Sequence, residues 1–314
     1  MEFRKLIRFG KNSYVVSLPK EWVKKNKLNK GDTIYINENL DGLQINVKEK
    51  KKIEQLRAIM INTKNKTLDR IQTEIFSAYL AGYNVVEIRG EDIVDNAPKI
   101  KAILKELAGV ELIEETANKI VVKDLINTEE ISIKVIIRRI DLLVRGMMDD
   151  LIKSIDDDQY ESIFQRDIEV NRLNYLTKRI IRFACDNPKI RHKFNKRVID
   201  LIRAWRISGY LECIGDNTKR IARALTKVQL KPKGKKELEN LFLLLKKRYL
   251  DVMKAYHTKD LNLLLKIELE SKKRLKLIKD FEKKNPGVYD IAHNLKSMTS
   301  SIKHIGRAVM NTII

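Results

Sequence analysis

Ile207-Ser208-Gly209-Tyr210-Leu211-Glu212-Cys213-Ile214-Gly215-Asp216-Asn217 is the stretch on which the reading of the fold turns. Its apolar positions Ile207, Leu211 and Ile214 recur at helical spacing. The same phrase returns later as Met298, Ile302 and Ile305-Gly306-Arg307. Upstream, Asp167-Ile168-Glu169 returns as Glu268-Leu269-Glu270. Anchors that recur in order and in helix phase signal two copies of one structural unit. From about Asn127 onward strand signals vanish. The periodicity predicts six helices, at 128–155, 159–186, 192–228, 235–257, 261–284 and 288–313. Breaks are expected at Asp156-Asp157-Asp158, Asn187-Pro188, Lys231-Pro232-Lys233-Gly234 and Asn285-Pro286-Gly287. Two three-helix bundles follow from that pattern.

Working back from the helices, residues 51–126 alternate between strand and helix patterns. Strands are expected at 57–62, 85–88, 110–114 and 119–122, and helices at 67–81 and 97–107, which makes a small α/β layer domain. It carries no glycine-rich nucleotide loop and no histidine, and reads as a spacer or dimerisation module. Residues 1–50 read as short strands: Leu6 to Phe9, a Gly10-Lys11-Asn12-Ser13 turn, Tyr14 to Leu18, then Thr33 to Ile36 and Leu43 to Val47. Pro19 opens a short helix over Lys20 to Lys25. Fifty residues in short strands bury little core alone, so this unit is expected to complete itself in a homodimer. The fold class is therefore multidomain: a small all-β unit (1–50), an α/β layer (51–126) and a six-helix region (127–314).

The 314 residues carry a formal charge of +22, which favours a polyanionic partner. The excess is concentrated at the two ends. Residues 1–50 hold 11 basic against 6 acidic side chains, and residues 201–314 hold 26 against 11. The longest uncharged run, Ile75 to Val86, is too short to span a bilayer, so no membrane insertion is expected. The N-terminus lacks an apolar signal region, and a cytoplasmic location is expected. Cys185 and Cys213 are too few for a disulfide framework or a zinc quartet. The four histidines are scattered, and the motifs of nucleotide-binding, serine-hydrolase and zinc-protease enzymes are absent. The chain does not read as an enzyme.

Two resemblances sharpen this picture. Asn12-Ser13-x-x-Val16-x-Leu18-Pro19, with Leu28-x-x-Gly31-Asp32-x-Ile34-x-Ile36 and Asp41-Gly42-Leu43, resembles the AbrB/MazE/SpoVT family of swapped-hairpin DNA-binding domains. Ser17 departs from it, standing where MazE-like members often carry arginine. The resemblance implies an intertwined homodimer that grips double-stranded DNA through its first hairpin, with Arg4, Lys5, Arg8, Lys11, Asn12 and Lys20 as contacts. Basic and short polar side chains suit the phosphate contacts that dominate DNA affinity. A solvated strand edge, charged to block aggregation, has the same composition.

Leu211-Glu212-Cys213-Ile214-Gly215-Asp216-Asn217 resembles a signature of the PhoU family, and Asp167-x-x-Val170-Asn171-x-Leu173 its companion motif, with asparagine replacing the second acid. The resemblance, in the archaeal-type form that carries an AbrB-like head, implies control of phosphate uptake and metal held between inner helices. Residues at i and i+4 share a helix face, so Glu212 with Asp216 and Asp167 with Asn171 would form an oxygen-rich site for one divalent or ferric ion. Fe, Mn, Mg, Ca and Zn are not distinguishable from sequence. Pairing of Glu212 and Asp216 with Lys219 and Arg220 on a solvated face is the competing expectation. In the second repeat Lys303 and Arg307 take the places of the acids, leaving Glu268 and an ion pair or weak anion site. The functional expectation is a DNA-binding transcriptional regulator of phosphate uptake with a helical sensing or partner domain. Two other readings stay open: a PhoU-like adaptor of a phosphate transporter or sensor that uses its head only to dimerise, and an antitoxin-like DNA-binding protein.

Overall fold

The computed structural model describes residues 3–39, 42–47, 57–128, 130–311 and 313. They belong to two compact units, Met1–Gln55 and Leu56–Ile314. In the first, β1 (Ile7–Phe9) pairs antiparallel with β2 (Ser13–Val15), placing Arg8 opposite Tyr14. Gly10 turns the hairpin with a positive φ of 70°, a conformation that costs glycine little. Helix α1 (Lys20–Lys25) follows Pro19, and β3 (Tyr35–Asn39) pairs antiparallel with β4 (Gly42–Asn46). No described residue of this unit is fully buried.

The second unit begins with β5 (Ala58–Asn62), α2 (Leu68–Leu80), β6 (Val85–Arg89), α3 (Ile93–Lys105), β7 (Val110–Thr116) and β8 (Lys119–Asp124). The sheet order is β5-β6-β8-β7, with β5 and β6 parallel and the other pairs antiparallel. A parallel pair needs a crossover, and α2 supplies it. Thr67 caps α2, its side chain accepting from the Arg70 amide. Ile61, Ile71, Ile75, Ile88, Ile100 and Ile120 fill the layer's core. Helix α3 starts at Ile93, ahead of the expected Ala97, and carries Pro98 inside it. A proline normally marks a helix start, which is why the pattern misplaced this one.

The helical region comprises α4 (Ile133–Lys153), α5 (Tyr160–Asp186), α6 (Pro188–Lys193), α7 (Val198–Leu225), α8 (Pro232–Thr258), α9 (Leu261–Leu269), α10 (Ser271–Lys284) and α11 (Tyr289–Met310). Two expected helices are each split. The one expected at 192–228 breaks where Asn195 takes a positive φ of 49°, and the one at 261–284 is interrupted at Glu270. The break expected at Lys231-Pro232-Lys233-Gly234 falls slightly earlier, between Leu225 and Pro232: Pro232 occupies the first turn of α8, where its missing N–H has no intrahelical partner to lose. Helices α4, α5 and α7 pack together, as do α8, α9, α10 and α11, and α7 lies along α11. The repeat is visible in its glycines. A Cβ on Gly215 would meet Met147 of α4 and Val170 of α5, and one on Gly306 would meet Val252 of α8 and Leu264 of α9. Thus α4, α5 and α7 correspond to α8, α9 and α11. Among the described residues no helix is long and apolar enough to cross a membrane.

Candidate DNA-binding head and acid-cation clusters

In the head, Arg8 lies on β1, Lys11 and Asn12 in the turn after it, and Arg4 and Lys5 just before it. All five side chains are exposed, and Lys20 is exposed at the start of α1. Apolar side chains share this exposure: Ile7 is 59% exposed, Phe9 70% and Leu43 70%. The Asn46 side-chain amide is shielded from solvent yet finds no hydrogen-bond partner. Buried amides are normally paired.

The acidic motif of the first repeat closes on a lysine. Asp167 of α5 is 2% exposed. Its Oδ2 accepts from Lys219 Nζ of α7 at 2.5 Å and from Asn171 Nδ2 at 3.3 Å. Lys219 also reaches Asp216 Oδ1 at 3.0 Å, and Arg220 takes Asp216 Oδ2 at 2.6 Å. Burial opposes the Lys219 charge, but its bonds to Asp167 and Asp216 outweigh it and hold the ammonium above its ordinary range. Glu212 stands apart from these pairs. Burial pushes its carboxyl up, Lys178 pulls it down, and Asp216 and Asp167 push it up again. Glu106, following α3, is also pushed up by burial and by the charge of Asp167.

A divalent ion requires several carboxylate oxygens converging at about 2.0–2.6 Å. Among the described residues no three histidine, cysteine or acidic side chains converge in that way. With Asp167 and Asp216 both engaged by Lys219, the residues present do not fit the expected metal.

In the second repeat Glu268 of α9 receives two cations from α11. Arg307 holds it two-pronged, Nε to Oε2 at 3.0 Å and Nη2 to Oε1 at 2.6 Å, and Lys303 Nζ reaches Oε1 at 3.0 Å. Arg307's bonds hold the Glu268 carboxyl below its ordinary value. Glu270 turns elsewhere, to Arg248 and Arg274.

Sequence reasoning passed over Arg179 of α5. Its guanidinium lies over the Tyr79 ring at 4.6 Å, pairs with Asp124 of β8, and donates to the Tyr79 carbonyl and, at 3.1 Å, to the Tyr83 carbonyl. Arg179 and Asp124 side chains are both 4% exposed. This contact joins the α/β layer to the helices. Nothing in the sequence sets it apart: it stands between Lys178 and the apolar pair Ile180-Ile181, in a chain holding 64 lysines and arginines.

These features define a multidomain chain with a small β-rich head, a four-stranded layer and a twofold-repeated helical region. Residues 7–55 match the family described as antidote-toxin recognition MazE, bacterial antitoxin. Residues 137–225 match the PhoU domain. The two matches together support a PhoU-like regulator. Among solved structures, PhoU from Pseudomonas aeruginosa aligns at 17% identity and a TM-score of 0.45, covering 60% of this chain and 94% of that one. No curated protein matches the sequence.

Proposed function

We propose that the chain is a homodimeric, cytoplasmic transcriptional regulator of phosphate uptake, non-enzymatic, that binds duplex DNA through its head and receives its signal or partner at the helical region. The observation that carries this reading is the head itself. Exposed basic side chains on the first hairpin stand among exposed apolar strands that need a covering surface. A second copy supplies that surface most simply, and places two sets of Arg4, Lys5, Arg8 and Lys11 for one duplex. Asn46 Nδ2 on β4, shielded and unpaired, is a donor that such a partner could satisfy. Phosphate-transport components as partners are supported by the PhoU-domain match alone.

The test is equilibrium binding of the full chain to duplex DNA from upstream of its own gene, measured across a salt series. Affinity falls linearly in log–log form, and each lost phosphate contact lowers the slope by about one unit. Arg8→Ala and Lys11→Ala should each show that loss. Unchanged affinity and slope in both variants would reject DNA binding by this hairpin and leave the head as a dimerisation device.

A further inference from the structure

We propose that Lys219 is the resident cation of the first helical bundle, so that the chain itself, and not a metal ion, supplies the positive charge that holds α5 against α7.

The two repeats carry the argument between them. Asp167 and Glu268 are equivalent positions, and each is the acid that the second helix of its bundle turns towards the third. Each receives a cation from that third helix: Lys219 of α7 on Asp167 at 2.5 Å, and Lys303 and Arg307 of α11 on Glu268 at 3.0 and 2.6 Å. The cations come from different places in the motif. Lys303 and Arg307 stand at the equivalents of Glu212 and Asp216, whereas Lys219 lies one turn beyond Asp216. The requirement for positive charge between the helices is therefore kept in both bundles, while its source differs.

The remaining groups fit an internal ammonium better than an ion. Asn171 lacks the charge that an aspartate would bring to a metal, and instead donates to the same Asp167 oxygen. Arg220 occupies the second oxygen of Asp216. Asp167 Oδ1 is buried with no partner, so Oδ2 alone carries this carboxylate's link to α7. A divalent ion would have to displace Lys219 from two carboxylates at once. Removing the ammonium, by contrast, leaves the buried Asp167 with no cation and Asp216 with Arg220 alone, which is the condition that attracts a cation to the gap between the two helices.

The experiment uses the full chain, wild type and variants, dialysed against chelator and then titrated with MnCl2, with thermal unfolding and bound manganese both recorded. The wild type should hold no stoichiometric manganese, and its Tm should be unmoved by chelator or by MnCl2. Lys219→Met should unfold about 5 °C lower or more without metal. It should then regain most of that loss with manganese, binding about one ion per chain. Asp167→Asn in the Lys219→Met background should abolish the gain. The proposal is overturned if the wild type binds one manganese that Asp167→Asn removes, or if Lys219→Met neither loses stability nor gains a metal response. Should Lys219→Met not fold, Lys219→Arg, which keeps the charge, must stay metal-blind; a manganese-dependent Tm in that variant overturns the proposal equally.

Discussion

Replacing Arg179 by methionine should be among the most damaging single changes in this protein. The substitution keeps much of the side chain's apolar stem and removes its charge and donors. Asp124 is then left as a carboxylate 4% exposed, retaining the Ile126 amide at 3.0 Å but no cation. The carbonyls of Tyr79 and Tyr83 each lose a donor, and the Tyr79 ring loses the cation above it. Removing one partner of a buried pair costs about 3–5 kcal/mol, most of it the stranded charge. The surviving amide bond argues for the lower end. For a unit of this size each kcal/mol moves Tm by roughly 2–4 °C, so a fall on the order of 6–12 °C is expected. Thermal unfolding followed by circular dichroism measures it, and Asp124→Leu and the double variant complete a cycle. The double variant removes both charges and should be less damaged than the sum of the singles, with a coupling of about 1–3 kcal/mol. A cost for Arg179→Met below about 1 kcal/mol, or a coupling near zero, would refute the claim that this contact joins layer to helices.

Leu43→Asp places a charge on an exposed strand position of the head and should weaken self-association by about tenfold or more, roughly 1.4 kcal/mol; sedimentation equilibrium that matches wild type would contradict it. Gly90→Ala should cost about 1–3 kcal/mol by overpacking, because its Cβ would fall 1.7 Å from the Thr63 Oγ1; an unchanged urea midpoint would show that Thr63 yields freely. Glu268, held below its ordinary 4.5 by Arg307 and Lys303, binds fewer protons folded than unfolded, so its stabilisation is complete above that value and lost as pH falls through the lower folded one. Wild type should therefore exceed Glu268→Gln in stability at neutral pH, with the gap closing in acid; a pH-independent gap argues against the pairing. A double-mutant cycle on Glu268 and Lys303 should give about 0.2–1 kcal/mol, as for other partly exposed pairs.

How much of this was legible beforehand depended on whether a feature had a period. The order of strands and helices, the repeat and most helix breaks follow from apolar spacing and from Gly, Pro and Asn punctuation. Asn285-Pro286-Gly287 ends a helix as expected, with Gly287 at a φ of 88°. The breaks at Asn195 and Glu270 escaped because neither residue disrupts the apolar stripe around it. The site was less legible than the fold. Glu212 and Asp216 stand out by their i, i+4 spacing, and the pairing of Asp216 with Lys219 and Arg220 was one of the two expectations, yet the reach of Lys219 to Asp167 crosses between helices and has no counterpart in that spacing. Arg179 was hidden for the same reason. A long-range ion pair leaves no periodic trace.

That no described residue of the head is buried reaches, on the proposed reading that a second copy completes it, beyond shape into supply. A core assembled from two chains forms in proportion to the square of the chain concentration when association is weak. Halving the amount of protein would then leave about a quarter of the assembled heads. For the second unit, whose core is its own, the same halving leaves half. Expression level would thus set the ratio of completed heads to helical domains, and with it which end of the molecule does most of the work.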